Sequence, residues 1–140
     1  SFGLRYRWKL DPSWRTRRLR IDRTDGIEKS LVIERSGDAT WRVDGDERPH
    51  LAGCREIDVS ATHFCNTLAI RQLGTSGGEL LALFVDAPTL TCQPSRQRYE
   101  PLGPRAWRYL DNGVADGFTA RLDLDEHGLV EKYEHLFEAF

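Results

Sequence analysis

The stretch ATHFCNTLAIRQLG, Ala61 to Gly74, places His63, Cys65 and Asn66 within four positions. A cysteine nucleophile needs a thiol pKa lowered by a neighbour such as imidazole, and a base held by a third group. If the segment is extended, His63 and Cys65 point to the same face, which gives one reading: a small hydrolase acting on lipid-like substrates. The other reading takes Cys65 as a small buried hydrophobe, the commoner fate of a cysteine. The second is preferred, so no catalytic residue is assigned and a non-enzymatic protein is expected. In the same extended reading Asn66 shares a face with Leu68 and Ile70, while Thr67, Ala69 and Arg71 share the other. An amide beside two large aliphatics either orients a polar head group in an apolar pocket or satisfies a buried backbone group.

Three further patterns carry less chemistry. GTSGG, Gly74 to Gly78, has the letters of a G-x-S-x-G nucleophile elbow around Ser76. That elbow requires a strand leading in and a helix leading out, whereas the strand-like ELLALFVDAP follows here, so a glycine-rich loop is expected. Asp111, Asn112 and Asp116, and again Asp123, Asp125 and Glu126, resemble loose oxygen clusters but match no EF-hand spacing. Turns at Asn112-Gly113 and His127-Gly128 explain them better. His50 and His135 have no paired ligand at the spacings zinc uses, and no metal or other cofactor is expected.

The elements that must position these residues read mainly as strands. LRYRWKL alternates Leu4, Tyr6, Trp8 and Leu10 with Arg5, Arg7 and Lys9, the period of a half-buried strand. DPSW and RTDG supply turn chemistry. IEKSLVIER, ATWRVDG, REIDVS, NTLAIRQL, LLALFVD, LTCQPSRQRYEPL, RAWRYLD and GFTARLDLD continue in strand lengths, with no βαβ rhythm. Only the tail has helical spacing, through Val130, Tyr133, Leu136, Phe137 and Phe140. The expectation is one highly curved antiparallel sheet with a short C-terminal helix, in a single domain spanning residues 1–140. The aromatics Tyr6, Trp8, Trp14, Trp41, Trp107 and Tyr109 line a cavity or form plain core.

Composition narrows the class. The formal charge of -2 and a pI near 6.1 lack the basic excess of a nucleic-acid binder. Charge is uneven, however: residues 1–23 hold eight basic and two acidic side chains, and residues 116–140 hold seven acidic and two basic. The simplest expectation is that these ends compensate each other across a sheet, the alternative being a basic rim for an anionic partner. An odd count of three cysteines without CxxC gives no disulfide framework, and points to a reducing, cytoplasmic setting. No apolar run reaches the roughly 20 residues of a membrane span, so stable membrane insertion is not expected. The chain has no methionine, and a processed or trimmed N-terminus is expected.

Taken together, LRYRWKLDPSWRTRRLRI, LAGCREIDVSATHFCNTLAIRQLG, QRYEPL, WRYL and GFTARLDLDEHGLVEKY resemble, in order and spacing, the bacterial putative glycolipid-binding family, over almost all 140 residues. Leu51, Gly53, Cys54, Asp58, Asn66, Thr67, Ile70, Arg71 and Leu73 fit the family's pattern. So do Tyr99, Tyr109, Asp125, Gly128, Leu129, Val130 and Tyr133. Ala69 and Glu134 depart from it where proline is usual, and His63, Phe64 and Cys65 lie in a stretch of variable type. The resemblance implies a half-barrel like those of lipoprotein carriers, a homodimer, and additional N-terminal strands that this chain lacks.

On that basis the expected function is binding of a glycolipid or similar amphiphile in the concavity of the sheet. Trp8, Trp41, Leu68, Ile70, Leu83 and Trp107 would line its apolar part, with Tyr109 beside them, and Asn66 and Arg71 would orient the head. A regular strand puts Arg71 opposite Asn66, so both serve only through a bulge or a dimer contact. The alternative to a carrier is a dimerising interaction module using an exposed edge and aromatic surface.

Overall fold

The computed structural model describes residues 3–26, 28–60, 62–87, 89–133 and 137–138. It is mainly β, with a curled half-barrel sheet and one helix. The strands form two sheets rather than the expected single one. The first is an antiparallel meander of β1 (Leu4–Leu10), β2 (Thr16–Arg23), β3 (Ser30–Gly37), β4 (Thr40–Val43) and β5 (Asp46–Glu47). The second runs in order through β6 (Glu56–Val59), β7 (Gly78–Asp86), β8 (Thr91–Gly103), β9 (Ala106–Asp111), β10 (Thr119–Leu124), β11 (Val130–Tyr133) and β12 (Phe137–Glu138). All its pairs are antiparallel except β6 and β7, which are parallel.

Parallel neighbours need a crossover, and α1 (Phe64–Leu73) supplies it. This corrects two expectations at once: FCNTLAIRQL is a helix, and the chain does contain one strand–helix–strand unit. The sequence hides the helix because Cys65, Asn66, Thr67, Leu68, Ala69 and Ile70 are all buried, which leaves no apolar stripe to read. Two of the six are polar with specific partners. Asn66 Nδ2 donates to Tyr99 Oη at 2.9 Å, and Thr67 Oγ1 donates to the Gly128 carbonyl at 2.9 Å.

The expected C-terminal helix is also corrected. Val130 to Tyr133 pair with β10 (Leu122 opposite Tyr133, Leu124 opposite Val130), and Phe137 lies opposite Tyr133 in β12. So short a helix is marginal by itself, and the open edge of β10 offers this segment backbone partners. Residues 134–136 and 139–140, and with them His135, Leu136 and Phe140 of the expected apolar face, lie outside the described residues.

Alternation along β7 divides the interior into two cores. Leu83 and Val85 face the first sheet and pack with Leu19, Ile21, Ile33 and Trp41, joined by Ile57 and Val59 from β6. Leu80 and Ala82 face the other way and pack with Ala69 and Ile70 of α1, Tyr99, Trp107, Tyr109, Ala120, Leu122 and Leu124. The helix therefore lies against the inner face of the half-barrel. The connection back to β7 needs glycine: a Cβ on Gly77 (φ 67°) would come within 2.2 Å of the Tyr99 carbonyl oxygen.

Charge is balanced locally, not between chain ends as expected. Arg18 faces Glu34 across β2 and β3, and Arg20 pairs with Asp22 at 3.0 Å. Arg121 pairs with Asp123 at 3.2 Å in the other sheet. Among the described residues the two ends do not meet across a ladder, because their strands belong to different sheets.

One buried carboxylate ties these parts together. Glu56, 1% exposed, accepts from the Thr16 N–H at 3.0 Å, the Ile57 N–H at 2.9 Å and Gln72 Nε2 at 2.6 Å, with Arg35 Nη2 3.6 Å away. It thus joins β2, β3, β6 and α1. Burial raises its pKa, and the donors and Arg35 oppose the rise. Removing one partner of such a buried arrangement leaves the others unsatisfied. Glu56→Ala is expected to lose about 3–5 kcal/mol of stability, read as a lowered urea midpoint, whereas exposed Glu126→Ala should change it by less than about 0.5 kcal/mol.

Candidate functional site

The strongest candidate begins where α1 begins. β6 runs into a turn at Ser60 and Thr62, and His63 precedes the first helical residue. This end of the helix lies over the inner face of β6, β7 and β9, beside the loop 112–118 that joins β9 to β10. Together they enclose a recess of about 260 Å³ lined by Asp58, Thr62, His63, Asn66, Tyr109 and Asp111, with the rings of Phe84 and Phe118 as apolar walls.

Its polar floor is a connected network. Gln97 Nε2 donates to Asp58 Oδ2 at 2.6 Å, Tyr99 Oη donates to Gln97 Oε1 at 3.3 Å, and Asn66 Nδ2 donates to Tyr99 Oη at 2.9 Å. His63 bonds the Asn66 side chain. Tyr109 Oη donates to Asp111 Oδ2 at 2.9 Å. Asp111 Oδ1 is taken by the N–H groups of Gly113 and Ala115 at 2.8 and 3.1 Å, so this carboxylate shapes the loop as well as the recess. Gly113 is needed at that loop because a Cβ there would meet the Arg96 nitrogen at 2.4 Å. Asp58 differs from Asp111: Oδ1 has no hydrogen-bond partner among the described residues, and it belongs to a side chain on the wall of the recess.

Electrostatics set these groups apart. Burial pushes Asp58 up to about 6, with the nearby Asp111 charge adding to the rise and the Gln97 bond opposing it. Burial lowers His63, which is therefore neutral at pH 7. Tyr109 is raised by burial and by the Asp58 charge, so its hydroxyl remains a donor. At neutral pH the recess presents carboxylate acceptors beside neutral amide, imidazole and phenol groups.

Cys65 takes no part. It is 2% exposed, packs in the first core, and its sulfur accepts from the Val59 N–H at 3.2 Å. Burial holds its pKa well above the ordinary thiol value, the reverse of what a nucleophile needs. GTSGG leaves a helix and enters a strand, the opposite order to a nucleophile elbow. The Asp125 Oδ1 oxygen is used by the N–H groups of His127 and Leu129 at 2.8 and 2.9 Å, as a turn requires.

Of the nine residues assigned to ligand binding from sequence, the structure brings Asn66 and Tyr109 to this recess. Trp41, Leu68 and Leu83 are fully buried, with Trp41 Nε1 donating to the Cys54 carbonyl at 2.8 Å. Ile70 and Trp107 pack in the second core. Trp8 packs edge-on against Phe64 at 5.3 Å and donates to Thr16 Oγ1 at 2.8 Å. Arg71 is exposed and stacks over the Trp14 ring at 4.3 Å. On a helix, five residues separate Asn66 from Arg71 by roughly 140°, so they do not address one head group. Phe84, Phe118 and Thr62 were not singled out from sequence. Asp111 drew notice only as a turn residue, and Asp58 only through the family resemblance.

Titration of Asp58 gives a test of this geometry. Its folded pKa of about 6 exceeds the ordinary 3.8, so the folded state binds more protons between those values and stability falls as pH rises through the window. The cost is fully present above about 6. Asp58→Asn should flatten the stability profile between pH 4 and 6 and unfold at a higher urea concentration than the parent at pH 7. An unchanged slope would remove Asp58 as the titrating group.

Among known proteins, no curated sequence matches this chain. A solved structure of a DUF1089 family protein from Pseudomonas aeruginosa superimposes with a TM-score of 0.90 at 32% identity, covering 99% of this chain and 78% of that one. The profile of the putative glycolipid-binding family matches residues 1–139, in agreement with the motifs read from the sequence. The chain belongs to that family.

Proposed function

We propose that the protein binds a glycolipid without chemical conversion, holding its sugar in the recess over β6, β7 and β9. The observation that carries this reading is the unpartnered Asp58 oxygen in a recess with a hydrogen-bonding floor and two phenyl walls. A sugar hydroxyl donates to a carboxylate while the ring's C–H face packs on an aromatic side chain, so both kinds of surface are used together. A recess of about 260 Å³ lies just below the usual range for small-molecule sites, which suits one sugar ring and not a ring with its acyl chains. The half-barrel concavity is occupied by Ala69 and Ile70 of α1. The acyl part therefore leaves over Phe118, 36% exposed on the recess lining. The desolvated Cys65 thiol supports a binding role over the Cys/His hydrolase.

The family's lipid-ligand name supports an amphiphile as partner. No helix among the described residues is long and apolar enough to cross a membrane. The three free thiols accord with a reducing compartment, where we place the protein. A homodimer, implied by the family resemblance, is the proposed assembly.

The deciding experiment combines native mass spectrometry of the purified protein with calorimetric titration of octyl glucoside, and of octan-1-ol as a sugar-free control. The glucoside should bind near one per chain, and Asp58→Ala should weaken it about tenfold or more, in line with loss of a charge-assisted hydrogen bond. Cys65→Ser should bind as the parent does and the glucoside should be recovered intact. Equal binding of octanol and glucoside would overturn sugar recognition, and released glucose would overturn the non-enzymatic reading.

A further inference from the structure

A second, unrelated recess surrounds Arg48. Three other partly buried guanidinium groups are well supplied with acceptors. Arg35 donates to the carbonyls of Thr16 and Arg55 at 2.8 Å and faces Glu56, and Arg15 and Arg20 each pair with an aspartate at 3.0 Å. Among the described residues Arg48 has one weak hydrogen bond, from Nη2 to the Val43 carbonyl at 3.4 Å, and its Nε is buried without an acceptor. No carboxylate oxygen of the described residues lies within 4.0 Å of its nitrogens. A guanidinium carries five N–H donors and stays charged at any physiological pH. Withdrawing it partly from water without a partner costs free energy, and native structures ordinarily avoid leaving such groups unsatisfied.

Room for a partner lies beside it. Arg48 lines a recess of about 300 Å³ between the β4–β5 turn, the short 3-10 turn Pro49–Leu51 and the start of β8. Leu31, Val43 and Leu90 of the first core show a little apolar surface to it, Leu51 of the same core is fully buried, and His50, Thr91 and Cys92 complete the lining. Asp44 stands on the same lining, with Oδ1 committed to the Val32 N–H at 2.9 Å. One cation against an aliphatic wall fits an anion with an aliphatic substituent. The neighbouring Asp44 charge opposes a second negative charge, which favours a carboxylate over a phosphate dianion.

We propose that this recess binds an aliphatic carboxylate, its oxygens taking the Nη donors of Arg48 and its chain lying along the Leu90 side of the recess. The site is distinct from the sugar recess: the two share no lining residue.

The test follows the arginine side-chain Nε–Hε resonances of the ¹⁵N-labelled full chain while sodium hexanoate is added. Hexan-1-ol and inorganic phosphate serve as parallel probes. Hexanoate should shift the Arg48 signal saturably, identified by its absence in Arg48→Gln, while hexanol leaves it in place and phosphate moves it only weakly. Arg48→Gln should weaken hexanoate binding about tenfold or more, as expected for losing a paired charge, and Arg48→Lys should recover part of that loss. If Arg48→Gln does not fold, Thr91→Trp, at an exposed position on the lining, tests the recess with Arg48 in place and should weaken binding by obstruction. The proposal is overturned if hexanoate gives no saturable shift, if the folded Arg48→Gln chain or the Thr91→Trp chain binds it as the parent does, or if phosphate competes equally.

Discussion

The fold depends on an acid in its interior. Glu56 occupies a position where a hydrophobic residue would avoid desolvation, yet it receives backbone donors from two strands, an amide from the helix and an arginine from a third strand. Buried ion pairs often contribute little net stability over an apolar replacement, but they are sharply sensitive to losing a member. The consequence is geometric. Thr16 offers its N–H only if β2 lies at one height against β6, and Gln72 reaches only if α1 has the right rotation. The acid therefore couples the relative setting of both sheets and the helix, including the helix start that carries Asn66 to the sugar recess.

The recess inherits its character from the same sandwiching. β6 is covered on both faces, Ile57 and Val59 toward the first core and Glu56 and Asp58 toward α1. Two acids on one face of a covered strand are kept for different reasons. Glu56 is saturated with donors and acts as a fastening. Asp58 has one oxygen held by Gln97 and the other open, which leaves it able to accept a ligand donor. Two residues of sequence thus separate a structural carboxylate from a binding one.

Much of the architecture was legible where burial is one-sided. Leu4, Tyr6, Trp8 and Leu10 alternate with exposed Arg5, Arg7 and Lys9 as β1 requires, and the turn residues Asp11, Gly26 and Asp125-Gly128 fall between strands. Legibility failed where burial is two-sided. In REIDVS alternation alone gives no sign that the face carrying Glu56 and Asp58 is covered, whereas α1 lies over it. FCNTLAIRQL loses its helical stripe for the same reason. The tail shows the converse error: a true 3.6-residue spacing at Val130 and Tyr133 was overruled by pairing with β10, a long-range interaction that local pattern does not contain. Trp41 and Leu83 fill core and line no cavity, a difference that side-chain type alone does not carry.

The parallel pairing of β6 with β7 also bears on how the chain reaches its native state. The first sheet is a meander whose hairpins join neighbours in sequence, and local contacts of this kind form early. Its inner face stays wet until β6 arrives, and the Thr16 to Glu56 tie spans 40 residues. β6 pairs with β7 in parallel, across the helical crossover. Without its cover from β6 and β7, the first sheet would present Leu19, Ile21, Ile33 and Trp41 as an apolar face, the kind of surface that associates with other chains at high concentration. Refolding yield should thus be governed less by native stability than by how quickly the crossover closes over that face.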